Sequence, residues 1–141
     1  MLVGNFALVT AALFTGAATY IIVAEQPARL GLGDRGLLRE WQPAYKRGFA
    51  MQAPLAIVGF FFGVWAWWLS GNWRWLVGAV MLISNWPFTL IVILPTNSVL
   101  MKIPAESAGA ESRRLIERWG RLHAVRSGLG ALSTAFFVWA N

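Results

Sequence analysis

The chain has 141 residues, of which 57% are hydrophobic and 13% charged, with a formal charge of +6 and no cysteine. Soluble domains carry about 25% charged residues, so an ordinary soluble fold is excluded; the missing thiols exclude disulfides, thiolate metal sites and thiol redox chemistry. The basic excess does not indicate nucleic acid, because the aromatic residues lie inside apolar stretches and basic residues beside such stretches are topology signals.

Three stretches, 1–24, 48–73 and 75–101, carry no formal charge, and each exceeds the roughly 20 residues that a bilayer-spanning helix needs. The first predicts a helix over 2–24. It lacks a basic leading segment and outruns the roughly 7–15-residue core of a secretory signal, so it reads as a retained helix. The second helix is predicted over 45–70, closed by the turn residues Ser70-Gly71-Asn72. The third is predicted over 73–94, kinked at Pro87 and stopped by Pro95. The fourth is predicted over 112–140. Only 15 residues follow Arg126, about 22 Å of helix at ~1.5 Å per residue. A full crossing therefore draws Arg126 and His123 beneath the membrane surface. The expected fold is all-α: one domain over 1–141, an integral membrane bundle of four transmembrane helices with lipid as its surroundings.

Arg29, Arg35, Arg39, Lys46 and Arg47 lie between the first two spans; Lys102, Arg113, Arg114, Arg118, Arg121 and Arg126 follow the third. Arg74 alone falls on the other side. Basic residues favour the cytoplasmic face, which predicts both termini outside, in a bacterial inner membrane. Trp65, Trp67, Trp68, Trp73, Trp75 and Trp139 then gather at the outer interface as an aromatic belt. Arg29, Arg35 and Arg39 read as topology determinants touching lipid headgroups. Gly59 and Gly63 form a G-x-x-x-G spacing, suited to close helix approach inside the bundle or between copies in a homo-oligomer. The glycines of Gly31-Leu32-Gly33-Asp34-Arg35-Gly36 do not make a phosphate loop, since neither a preceding strand nor a Lys-Ser/Thr pair accompanies them.

Ionisable groups within a membrane usually face the bundle interior and carry function. Trp119, His123, Arg126 and Gly130 follow an i, i+4, i+7, i+11 pattern and share one face of the fourth helix. Asn85, Thr89 and Thr96 share a face of the third, with Asn97 close to it. In the topology above, Glu25, Arg47, Gln52, Thr96, Asn97, His123 and Arg126 fall toward the cytoplasmic half. Their convergence from four helices predicts a polar pocket. The plainer readings are an ion pair between Glu25 and Arg126, a structural His123, a packing hydrogen bond at Asn85 and helix-end chemistry at Thr96 and Asn97. One histidine without cysteine does not make a bis-histidine haem, a zinc triad or a copper cluster within one chain, so no metal or cofactor is expected.

Glu25-Gln26-Pro27-Ala28-Arg29, Trp86-Pro87-Phe88-Thr89, the run from Leu94 through Pro95-Thr96-Asn97 to Leu100, and Trp119-x-x-x-His123-x-x-Arg126 together resemble the anthrone oxygenase-like family of small four-helix membrane proteins. The resemblance covers essentially the whole chain. It implies oxidation of an anthrone to an anthraquinone without metal or flavin, on a flat aromatic substrate. It also implies roles: His123 takes a proton, Arg126 stabilises the enolate, Asn97 donates to the carbonyl, and Glu25 orients His123 or balances Arg126. Trp119 would stack on the ring, with Gln52, Asn85, Thr89, Thr96 and Arg47 around the substrate. Two other classes compete. A non-catalytic accessory or small-molecule-binding membrane protein suits the tryptophans and the glycine pair. A small transporter would need an acid in mid-span, whereas Glu25 ends its helix.

Overall fold

The computed structural model describes residues 1–141. Four long helices account for nearly all of it: α1, Leu2–Leu30; α2, Asp34–Ser70; α3, Trp73–Lys102; and α4, Ala110–Ala140. Short connections make neighbours antiparallel. α1 and α3 each pack on both α2 and α4, and α2 touches α4 across the middle. At one end the chain termini meet the α2–α3 turn, where the Asn72 amide donates to the Ala140 carbonyl (3.3 Å). At the opposite, loop end, Arg113 donates to Asp34 and to the Leu30 and Leu32 carbonyls, and the Gln42 amide to the carbonyls of Leu100 and Ile103. The fold is an all-α bundle.

The buried stripes explain the packing. On α4, Ile116, Trp119, His123, Arg126, Gly130, Ser133 and Phe137 are buried, alternating steps of three and four. The same alternation runs through Gly4, Ala7, Ala11, Phe14 and Ala18 on α1, and Ala56, Gly59, Gly63 and Ala66 on α2. A seven-residue repeat keeps one seam facing the bundle axis, and small residues let the backbones approach closely. Gly59 and Gly63 serve this seam. A Cβ at Gly63 would sit 2.8 Å from Phe137 and 2.9 Å from Ala79; one at Gly59 would meet Leu82 at 2.5 Å. The glycine pair therefore works inside the bundle, and the face it occupies is not offered to another copy.

Two helices break the repeat. Ile21–Glu25 in α1 and Thr89–Ile93 in α3 are π-helical, and each lies just ahead of a proline, Pro27 or Pro95. A proline ring clashes with the carbonyl four residues back; the wider π turn relieves that clash and adds one residue to the turn. Hence α3 does not stop at Pro95, as the sequence suggested, but continues to Lys102. The extra residue also shifts the buried stripe: after Ala18 come Gln26 and Arg29, and after Thr89 comes Ile93. The second helix likewise starts at Asp34, not near 45, because Leu37, Leu38 and Trp41 form an apolar face between its charges.

The apolar core is in two parts. The terminal-end cluster centres on Phe14, Trp75, Leu82 and Phe137; the loop-end cluster on Leu37, Trp41, Ile93, Leu100 and Trp119. Trp75 is thus a core residue and not a member of the interfacial belt, while Trp65, Trp68, Trp73 and Trp139 are exposed. The outer surface carries Leu13, Phe61, Ile91, Val99 and Leu132, as a lipid-facing surface should. α1, α2 and α3 are long and apolar enough to cross a membrane; α4 is not among them, its first half being loaded with arginines.

Candidate functional site

The α4 repeat carries Trp119, His123 and Arg126 inward, between the two apolar clusters. His123 is 1% exposed and Arg126 8%. The His123 imidazole stacks on the Trp119 indole, centroids 4.9 Å apart and planes 22° apart. Trp41 meets Trp119 edge-on at 5.6 Å and stacks on Tyr45 at 5.1 Å. The Arg126 guanidinium lies 5.6 Å from the Phe14 ring centroid. Gly130, one turn on, has no side chain, and Phe14 occupies the space, since a Cβ there would lie 2.9 Å from its ring.

Buried polar groups almost always have hydrogen-bond partners. Around Arg126 they do not. Both ring nitrogens of His123, Nε of Arg126, both amide atoms of Gln52, Oδ1 of Asn85 and Oγ1 of Thr89 are buried and unpartnered. A set of orphaned donors and acceptors from three helices is unfavourable for packing and suited to a ligand. Two small spaces that share Phe49 and Arg126 adjoin these atoms. A narrow cleft of about 20 Å³, room for a water and too tight for a ring system unless side chains move, is lined by Glu25, Arg29, Tyr45, Phe49, Gln52, Trp119, His123 and Arg126. An adjoining pocket of about 10 Å³ is lined by Phe49, Ala53, Asn85, Trp86, Thr89 and Arg126, among others.

Several sequence-derived assignments change. Glu25 lines the cleft but is bonded to Arg29, one turn along its own helix, and not to His123 or Arg126. Arg29 is not a headgroup-facing topology residue. It is 3% exposed, reaches Glu40 through Nε at 2.9 Å and lies over the Trp119 ring at 5.6 Å. The π turn in α1 is the reason, because it turns Gln26 and Arg29 inward. Arg126 consequently has no carboxylate partner and is a buried, uncompensated cation. Arg47 is exposed and lines neither space. Asn97 is buried with both amide atoms unpartnered, and Thr96 is buried beside it, yet both lie past the α3 π turn and outside the cleft. Gln52, Asn85, Thr89, Trp119, His123 and Arg126 line one or both spaces.

The sequence reading missed Tyr45, Phe49 and Trp86 as lining residues. Tyr45, Gly48, Phe49 and Gln52 share one helical face at i, i+3, i+4 and i+7, a pattern that placed only Gln52 and could have found the rest. Gln26, whose amide donates to the Ile116 carbonyl (3.1 Å), fills the space above Gly120. No group of three His, Cys, Asp or Glu side chains comes together.

Fold and site define a helical, membrane-compatible bundle around a basic, aromatic-lined polar cleft. The chain belongs to the anthrone oxygenase family, whose model matches residues 41–136. That segment holds every cleft residue from Ala44 to Arg126; Ile21, Glu25 and Arg29 precede it. The chain is similar to anthrone oxygenase tpcL of Aspergillus fumigatus, 49% identical over 55 residues, which are 37% of this chain and 34% of that protein. It is also similar to anthrone oxygenase ptaC of Pestalotiopsis fici, 32% identical over 110 residues, covering 64% of this chain and 74% of that protein. The match thus spans about a third of the first relative and about three quarters of the second. Both are fungal and lend nothing to a bacterial inner membrane. No solved structure matches the chain.

Proposed function

We propose that the protein oxidises an anthrone-type aromatic ketone to the corresponding quinone with dioxygen, in the cleft beside His123 and Arg126. The observation that carries this reading is the pairing of a buried imidazole, stacked on an indole face, with a buried guanidinium that has no carboxylate beside it. The anthrone methylene lies between two aryl rings and is conjugated with the ketone. His123 removes one of its protons, and the negative charge spreads to the carbonyl oxygen as an enolate. Arg126 and the Gln52 amide stabilise that oxygen in surroundings of low dielectric. Asn97, outside the cleft, is replaced in this role by Gln52.

The enolate reduces dioxygen, and the carbon radical and superoxide combine to form a C–O bond. The proton held by His123 completes a hydroperoxide. Loss of the second methylene proton and of hydroxide, with cleavage of the O–O bond, forms the new carbonyl. One anthrone and one dioxygen give one quinone and one water, and dioxygen is the only oxidant required. Trp119 orients the planar ring system through its stack with His123. The 11-to-1 distribution of basic residues supports a loop end facing the cytoplasm and both termini outside, with α4 as the fourth crossing.

Oxygen consumption by the purified protein in detergent, with anthrone as substrate, tests the reading. Uptake in the wild type that is lost in folded His123→Ala and Arg126→Ala variants is expected. Wild-type uptake no faster than the uncatalysed background overturns it.

A further inference from the structure

Resting on that reading, we propose that the substrate reaches the cleft sideways from the bilayer, through a portal between α2 and α3 closed by Phe49 and Trp86. Outside the two inner spaces lies an open groove of about 370 Å³, lined by Ala50, Pro54, Ile57 and Val58 together with Phe49, Ala53 and Trp86. Its wall is almost wholly apolar, and it opens on the membrane-facing side of helices apolar enough to cross a bilayer. Phe49, Ala53 and Trp86 line both this groove and the inner pocket that ends on Asn85, Thr89 and Arg126. Phe49 lines the His123 cleft as well. The three spaces therefore adjoin one another between lipid and the orphaned polar atoms, and the Phe49 and Trp86 rings stand in the wall between groove and inner pocket.

Those rings meet edge-on, with centroids 6.3 Å apart, and the Trp86 indole N–H donates to the Ala53 carbonyl across the helix interface (3.2 Å). Trp86 stands in the most irregular stretch of α3. The helix breaks at Ser84, Pro87 follows without an N–H to give, and the π turn begins at Thr89. The missing Pro87 donor and the π turn deprive this stretch of the unbroken i→i−4 ladder that α4 has. Phe49 is 36% exposed and has the groove to move into. A tricyclic ketone without charge partitions into lipid, and a groove lined by alanines and one proline between two aromatic rings fits its flat face. The loop end is a poorer route, because the Arg29, Glu25 and Glu40 ion pairs and the Trp41–Tyr45 stack close it.

A chain without cysteine permits a test after folding. In Ala50→Cys, an exposed groove position outside both inner spaces, assembled in lipid nanodiscs, the single thiol is coupled to a bulky maleimide. Anthraquinone delivered from vesicles is then followed by quenching of tryptophan fluorescence in stopped flow. Association and dissociation both slowed about tenfold by the label, with the unlabelled variant near wild type, are expected of a blocked passage. The same label on Val99→Cys, on the membrane-facing side of α3 away from the groove, leaves both rates unchanged. Phe49→Ala, which opens the passage, accelerates both. Wild-type binding whose rates ignore the label and the Phe49 change overturns the portal and leaves the oxidation reading intact. Failure of the wild type to bind anthraquinone at all removes that reading and the portal with it.

Discussion

The imidazole of His123 lies flat against the indole of Trp119, with centroids 4.9 Å apart, and neither ring nitrogen has a hydrogen-bond partner. A structural histidine in a bundle core normally donates to a carbonyl or a carboxylate. Here the ring is held by its face, with the Ala18 carbonyl beside it, and one nitrogen at least is left for a ligand. Replacing His123 with Gln keeps a polar side chain of similar reach but removes the base. Turnover should fall by about 10²–10⁴-fold, the usual contribution of a positioned base, with the thermal midpoint little changed. Oxygen-uptake rates and a melting curve in detergent check both halves. A fall in midpoint equal to that of a core truncation would make His123 structural.

Arg126 should oppose stability while serving activity. Its guanidinium is buried with no carboxylate beside it, and a buried charge without a partner is unfavourable. Arg126→Met keeps an unbranched chain and removes the charge. The melting temperature should rise, while turnover falls by about 10²–10³-fold, the effect of losing one oxyanion donor. A lower midpoint would show that the cation is compensated by a contact other than the Phe14 ring.

Arg29 should behave in the opposite way. It satisfies Glu25 and Glu40 and packs on Trp119. Arg29→Ala leaves two carboxylates facing each other, and about 2 kcal/mol of stability should be lost, less than for a fully buried pair because both carboxylates are partly exposed. Adding Glu25→Gln to Arg29→Ala should restore part of the loss. Chemical denaturation of the single and double variants measures it. Additivity of the two substitutions would mean that the residues are uncoupled.

Gly63→Ala tests where the glycine pair acts. The new Cβ would press on Phe137 and Ala79 inside the bundle, and overpacking of this kind is worth about 1–3 kcal/mol. The thermal midpoint should drop with no change in oligomeric state by light scattering. A change of mass at unaltered midpoint would instead place Gly63 between chains.

Much of this architecture was legible without coordinates. Uncharged runs of bilayer length announced the helices, and the turn at Ser70-Gly71-Asn72 is where the chain reverses. The i, i+4, i+7 spacing of Trp119, His123 and Arg126 put them on one face because α4 is a regular helix, and for a regular helix periodicity is geometry. The same logic failed on α1 and α3. Each contains a π turn, and one extra residue rotates everything after it by about 100° relative to an unbroken α-helix.

That rotation is why Glu25, expected against Arg126, pairs with Arg29, and why Arg29 is inside. Pro27 and Pro95 were visible as irregularities, but a proline can end a helix, kink it or widen the turn ahead of it, and local sequence does not choose among these. The choice falls to packing. Ile93 and Leu100 are buried with Trp41 and Trp119, so continuing the helix beyond Pro95 buries apolar surface that stopping there would leave exposed. Composition, charge and the seven-residue repeat by themselves determined a membrane-compatible four-helix bundle with histidine and arginine on its axis. Only the tertiary contacts decided which ions pair and which cation stays free, because those depend on where two helices take up one additional residue.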